Sequence, residues 1–284
     1  MTTFANMKIQ TATDERTGRQ MWLAASPDLA KPRLSYSQLS LYLRCPRLYQ
    51  YRYIMKRKQP PTPELALGSA WHAGQEANLS QKIVSGRNLP VEEVVDAFVD
   101  ALRAGLAASG MESSGDWLEE IGIEMTRVYH AEVASQIEPV AVEQSFLVGL
   151  GADYPFTLYG LIDVIDTAGT IIDHKGYSPT SYAKAQKSIR TDHQLTTYAL
   201  AYRAATGREE SGLAFGVAVK GSPVTTDVIR TVRTRGDIDW FLGMVEQVGL
   251  GIQVGVFPPN ADTWACSPRW CPEWQSCMGH RVGI

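Results

Sequence analysis

Four things are scarce in this 284-residue chain, and each shortage excludes a class of protein. No window carries the roughly 18 apolar residues that a membrane helix requires, so no membrane contact is expected. The opening MTTFANMKIQTATDERTGRQ lacks the apolar core of a secretory signal, and the expected location is cytoplasmic, a phage-encoded origin included. Excess charge is missing too: 27 Lys and Arg against 30 Asp and Glu leave a net charge of −3, so any polyanion site has to be a local patch. Cysteine is rare. Cys45, Cys266, Cys271 and Cys277 are the four, and in a reducing compartment the clustering of the last three points to metal ligation over disulfides.

What is present is the composition of a globular protein, with 44% hydrophobic and 20% charged residues and neither internal repeats nor low-complexity tracts. Residues 1–33 read as a polar leader holding a hairpin around an Asp14–Arg19 turn, with no chemistry assigned. Residues 34–284 read as a single domain that includes a Pro-, Trp- and Cys-rich segment at 257–284. Ser35 and Ser37 are candidate N-caps, and Pro46 breaks the segment they open into two short helices. The PTPE stretch near Pro60 reads as a loop. Helical spacing then predicts helices over 65–80, 91–108 and 116–137. From Val140 the pattern changes to alternation, which predicts strands over 140–150, 157–166 and 170–175, a helix over 191–205, strands over 213–220 and 224–234, and a helix over 237–249. The expected class is α/β, with a mixed central sheet flanked by helices.

The chemistry gathers on the hairpin of the second and third strands. Side chains alternate along a strand, so Asp173 and Lys175 share a face, and a three-residue turn sets Asp163 about opposite Asp173. Asp166 points the other way and serves the turn. Two neighbouring carboxylates repel unless a cation lies between them, and hard oxygen ligands favour Mg²⁺ or Mn²⁺. A nearby lysine can orient or deprotonate metal-bound water, and together these parts can hydrolyse a phosphodiester. The plain alternative for an isolated Asp-x-Lys is a surface ion pair on an edge strand. Three further pieces count against it in combination: His72 one helical turn after Gly68, and Gln194 with Tyr198 four residues apart on the helix that follows.

In this combination the chain resembles the PD-(D/E)XK nucleases, in particular the RecB-like exonuclease group. The matching pieces run from about Leu34 to Cys277: Ser35, Tyr36 and Ser37 through Cys45 and Pro46, then Gly68 and His72, Gly160 to Asp163, Asp173 to Lys175, Gln194 and Tyr198, and the C-terminal cysteines. The subgroup with such cysteines includes the AddB nuclease domain and the CRISPR-associated RecB-like exonucleases, and it carries a [4Fe–4S] cluster. The resemblance implies a nuclease core with Asp163, Asp173 and His72 as ligands of Mg²⁺ or Mn²⁺, joined by the backbone carbonyl of His174. It makes Lys175 the catalytic lysine and Gln194 and Tyr198 supports of the site. The His174 side chain is expected to point away. Glu143, on the preceding strand, is a lesser candidate, with an ordinary surface glutamate as the competing reading.

Four thiolates can hold a [4Fe–4S] cluster or a structural Zn²⁺. In the cluster reading Cys45, Cys266, Cys271 and Cys277 staple the C-terminal segment to the entry helix. In the zinc reading Cys266, Cys271, Cys277 and His280 form a local knuckle and Cys45 is a buried thiol. The chain departs from the best-known relatives in having four residues, not two, between Cys266 and Cys271, and in Gly176, where many have threonine.

Arg44, Arg47, Arg52 and Lys56 are interleaved with Tyr42, Tyr49, Tyr51 and Tyr53. Such a stretch can track phosphates while its rings stack on bases, or it can be an amphipathic helix with core tyrosines. The expectation is a metal-dependent DNA exonuclease acting on strand ends, foremost on single strands, in replication, recombination or repair. The alternative is a catalytically silent nucleic-acid-binding or assembly protein on the same fold. Protein partners are not legible.

Overall fold

The computed structural model describes residues 9–15, 17–58 and 62–278. His280, the expected fourth ligand of the zinc reading, lies outside these residues, as does Pro61 of the expected PTPE loop; Thr62 caps a helix that Pro63 and Glu64 already open, so the loop is shorter than expected. Among the described residues lies one sheet of strands β1 (Thr11–Thr13), β2 (Gln20–Ala24), β3 (Arg33–Ser35), β4 (Pro139–Val148), β5 (Thr157–Asp166), β6 (Thr170–Tyr177), β7 (Gly212–Val219) and β8 (Thr225–Thr231). Its order is β1-β2-β4-β5-β6-β7-β8, with β3 added parallel to β5. The sheet is mixed: β2 with β4 and β6 with β7 are parallel, while β4, β5 and β6 form an antiparallel run.

Helices cover both faces, and the period-two alternation of the strands divides two cores between them. Ile171, Leu213, Phe215 and Val217 pack with helices α1 (Tyr36–Arg44), α7 (His193–Thr206) and α8 (Arg235–Gln253). Their neighbours Ile172, Ala214 and Ala218 face α3 (Pro63–Ser85), α4 (Val91–Ser109) and α5 (Gly115–Glu132). The remaining helices are α2 (Pro46–Tyr49), α6 (Pro179–Ser188) and α9 (Trp274–Cys277).

The local signals explain where these elements begin. Ser35 forms a capping box with Gln38 at the start of α1. Cys45 is extended and Pro46 occupies the first turn of α2, so the chain restarts there as expected. A single π-helical turn at Gln50–Ile54 follows. At the β5–β6 turn Asp166 Oδ1 accepts from the amides of Ala168 and Thr170, the turn role foreseen for it.

Two expectations need adjustment. The segment 1–33 is not merely a leader: β1 and β2 form the hairpin, and β2 joins the central sheet through Met21↔Ser145 to Ala24↔Val148. Helix α5 ends at Glu132 and a 3₁₀ turn at Ala134–Gln136 replaces its predicted last turn.

Candidate active site

Strands β5 and β6 pair only at Val164↔Ile172 and Ile165↔Ile171 before parting. β5 continues beside β3 and β4, β6 beside β7, and the acids lie where the two separate. Asp163 would face Asp173 at the next step of the register. Its Oδ2 instead accepts from the His174 amide at 2.8 Å, so the side chain satisfies a backbone donor that the ladder leaves open.

Asp173 is fully buried and held from α7. Its Oδ1 accepts from Gln194 Nε2 at 2.9 Å and from the Tyr198 hydroxyl at 3.3 Å. Lys175 Nζ lies 2.5 Å from Asp173 Oδ2 and donates to Gln194 Oε1 at 2.9 Å. Burial pushes the Asp173 carboxyl up to about 6, against the lowering field of Lys175. Burial alone would lower the Lys175 ammonium, but Asp173 and Asp163 outweigh it and hold its pKa above the ordinary lysine value. Lys175 is therefore a fixed cation and hydrogen-bond donor. A lysine so held suits positioning a water or phosphate better than deprotonating one, the two roles expected for it.

His72 approaches from the other face, on α3. Its Nε2 is 2.9 Å from the His174 carbonyl and its Nδ1 is 3.4 Å from Asp163 Oδ2. A neutral ring that donates from Nε2 to the carbonyl turns the Nδ1 lone pair toward the carboxylate, the arrangement of a metal-ligating imidazole. Ligand atoms of His72, Glu143 and Asp163 all lie within 4.8 Å of one another. Glu143 is thus in the site and is not an ordinary surface glutamate. Its φ of 50° is in the left-handed region, a strain of roughly 1–3 kcal/mol for a residue with a side chain. Burial, then Asp163 and Glu76, push its carboxyl up to about 8. Such crowding of acids is relieved by a cation.

The His174 side chain points away, as expected. It is buried, and Nδ1 is 2.8 Å from the Tyr129 hydroxyl. Burial lowers its pKa well below the ordinary histidine value, so the ring stays neutral. Beneath it, Gly216 pairs with His174 in register, and a Cβ there would come within 2.1 Å of that hydroxyl.

Two residues of the site were missed. Glu76 follows His72 by one helical turn, a spacing that could have flagged it. Arg19, from the N-terminal hairpin, is ion-paired with Glu76 and lies 3.9 Å from Glu143; no local signal marks it, because its place depends on β2 joining the sheet.

The distant cysteines come together. Cys45, Cys266, Cys271 and Cys277, all half-buried, line one pocket beside Arg44 and Arg47. Burial raises the Cys266 and Cys271 thiols, and Cys45 and Cys277 add to both shifts. Protein bonds tie the same ends: Arg47 N to Pro258 O at 3.2 Å, Asn260 Nδ2 to Arg44 O at 2.9 Å, and Arg57 with Glu273 at 2.5 Å.

The tyrosine-rich stretch does not present all its rings to solvent, as the base-stacking reading requires. Tyr42 and Tyr49 are buried, Tyr42 donating to Val256 O at 2.7 Å and Tyr49 stacked on Phe257, so neither ring is free to stack on a base. Arg52 and Lys56 are exposed. Arg47 donates to Gln50 Oε1 at 2.8 Å.

A family model described as the PD-(D/E)XK nuclease superfamily matches residues 33–278. A solved structure of a "putative exonuclease" from Eubacterium rectale superposes with a TM-score of 0.55 over 89% of this chain and 94% of that one. At 14% identity the likeness is one of fold. Among curated proteins nothing matches significantly. With an antiparallel pair that splits around two aspartates and a lysine, and a family match over most of its length, the chain belongs to the PD-(D/E)XK nuclease superfamily.

Proposed function

We propose that this protein is a Mg²⁺- or Mn²⁺-dependent deoxyribonuclease that removes nucleotides from strand ends, foremost of single-stranded DNA, in replication, recombination or repair. The observation that carries the reading is the convergence of His72, Glu143 and Asp163 on one point beside the Asp173–Lys175–Gln194–Tyr198 network. The donor set fits a hard divalent ion: two carboxylates suit Mg²⁺ and Mn²⁺, and the imidazole nitrogen is better tolerated by Mn²⁺. A bound ion would stabilise charge developing on the phosphodiester and lower the pKa of water.

The chain's own groups do the rest. Asp163 and Glu143, with His72, would hold the ion; the His174 carbonyl, expected as a further ligand, lies 2.9 Å from His72 Nε2 and would instead fix the imidazole by accepting a hydrogen bond from it. Asp173, kept in place by Gln194 and Tyr198, adds a carboxylate and aligns Lys175. The Lys175 ammonium can then donate to a phosphate oxygen or orient the attacking water.

The cysteine pocket supports the finer placement in the RecB-like group with a [4Fe–4S] cluster, since four thiols from both ends of the domain meet there. Bound iron or zinc would supply cross-linking, outside the hydrolytic chemistry. Iron and zinc analysis of anaerobically purified protein separates the two: iron with inorganic sulfide is expected, and zinc alone would replace the cluster with a structural Zn²⁺.

The test of the reaction uses end-labelled linear single-stranded DNA and a circle of the same sequence with Mn²⁺. Wild-type protein is expected to degrade the linear strand and spare the circle, and Asp163→Ala, Asp173→Ala and Lys175→Ala to be inactive. Equal rates on the circle would make it an endonuclease. Binding without cleavage by wild type under every metal would leave a silent nucleic-acid-binding protein.

A further inference from the structure

Since Tyr42 and Tyr49 are core residues, the rings exposed beside the cysteine pocket are others. Trp264 and Trp270 are 69% and 55% exposed, large apolar surface that a folded chain ordinarily covers. Their rings meet edge to face at 5.8 Å, and the Arg269 guanidinium lies 4.9 Å over the Trp270 ring. Each indole adjoins a cysteine of the pocket: Trp264 precedes Cys266 by two residues and Trp270 directly precedes Cys271. The loop between them is folded on itself by Trp270 N and Cys271 N bonding to Ser267 O at 3.2 and 2.9 Å. Among the described residues these rings stay largely exposed while packing against each other.

Charge selects the occupant. Residues 29–63, which supply the Cys45 side of the pocket, contain eight Lys and Arg and no Asp or Glu, in a chain of net charge −3. On the other side, Glu273 is paired with Arg57, and the exposed Asp262 is offset in net charge by Arg269. A polyanion that also offers flat rings fits this surface better than an apolar protein helix does, because indoles stack on bases and the neighbouring cations meet phosphates. Helix α1 links the pocket to the active site: it starts at Tyr36, a phenol raised by burial and then by Asp192 and also within the fields of Lys175 and Asp173, and ends at Arg44. Nine residues span about 14 Å, within reach of a short single strand.

We propose that Trp264 and Trp270, with Arg269, form a platform that stacks the unpaired bases of the strand whose end is being cut. The proposal rests on the nuclease reading for its biological sense, but its test does not need catalysis. Full-length protein, as purified and in EDTA, is titrated into a fluorescein-labelled oligodeoxythymidine and into an abasic strand of equal length, with anisotropy as readout. Stacking contributes enough per base that wild type is expected to bind the intact strand at least about fivefold more tightly than the abasic one. Trp264→Ala and Trp270→Ala should each remove at least about fivefold of affinity for the intact strand and leave the abasic affinity unchanged, while Trp270→Phe retains most of it. Equal wild-type affinity for both strands, or equal losses on both in the variants, would overturn the platform. So would a dimer on size exclusion that the variants abolish with DNA binding intact, since the rings would then belong to a protein interface. Hydrolysis of bis(4-nitrophenyl) phosphate by wild type, which needs no base stacking, tests the nuclease reading separately.

Discussion

Replacing Gly216 by alanine should damage the site from beneath, and the damage should run through one hydroxyl. The added methyl would lie 2.1 Å from the Tyr129 hydroxyl oxygen and 3.2 Å from Cζ. Tyr129 cannot swing clear, because it is fully buried with its ring 5.0 Å from Trp71 and its hydroxyl bound to His174 Nδ1 at 2.8 Å. Overpacking costs about 1–3 kcal/mol, and leaving the buried hydrogen bond broken costs about 1–3 kcal/mol more. Alanine returns roughly 0.5–1 kcal/mol of backbone entropy, for a net loss of about 3 kcal/mol. Guanidinium unfolding of Gly216→Ala, Tyr129→Phe and the double variant reads this directly. Removing the hydroxyl takes away the 2.1 Å contact and leaves only the tight approach to Cζ, so the glycine substitution should cost at least about 1 kcal/mol less in the phenylalanine background. Additivity within about 0.5 kcal/mol would refute the reasoning.

In metal-free protein, Glu143 pushed up to about 8 and Asp173 to about 6 both keep a proton in the folded state that the unfolded chain releases at lower pH. The folded state therefore binds more protons, and stability should fall as pH rises, from near 4 to 6 for Asp173 and from about 4.5 to 8 for Glu143; a Glu143→Gln variant with the same slope in EDTA between pH 6 and 8 would contradict this. Lys175→Met leaves Asp173 buried without its cation and should cost several kcal/mol at neutral pH, measured by denaturation, with cleavage reduced by at least about a hundredfold. Chelation of the divalent ion should stop cleavage reversibly, with Mn²⁺ restoring it at lower concentration than Mg²⁺ in a titration of initial rates. Cys45→Ser should lower the metal content of the cysteine pocket and the melting temperature together; full retention of metal would point to ligands outside Cys45.

Much of the fold was legible because its signals are local. Alternation marks β5 and β6, Asp166 closes their turn, and Ser35 and Pro46 punctuate the entry helices. Helix α6 escaped notice because only Ala185 in it is buried, so it lacks an apolar period even though Ser178 caps it and Pro179 opens it. Asp163, Asp173, Lys175, Gln194 and Tyr198 were legible because two strands and one helix turn fix their spacing. Arg19 was not, since its position follows from the pairing of β2 with β4, more than a hundred residues away. The burial of Tyr42 and Tyr49 has the same origin: their cover is Phe257, and a sequence pattern alone cannot tell a tyrosine packed by a distant segment from one facing water.

The meeting of Cys45 with Cys266 sets a timetable for the protein's birth. The two are 221 residues apart, and at about 5–20 residues per second the ribosome makes the second roughly 10–40 s after the first. In the last part of that interval, once Thr206 is made and Cys266 is still 60 residues away, the acids and the lysine are present and β5, β6 and α7 can pair and pack, yet the entry helix has nothing to be anchored to. A nascent or prematurely terminated chain would thus carry the cutting residues without the closure that holds α1 against them, and its waiting thiol would be open to oxidation. Completion of the C-terminal loop is therefore the last step of closure, because only then do the Arg47–Pro258, Arg44–Asn260 and Arg57–Glu273 contacts tie the two ends together.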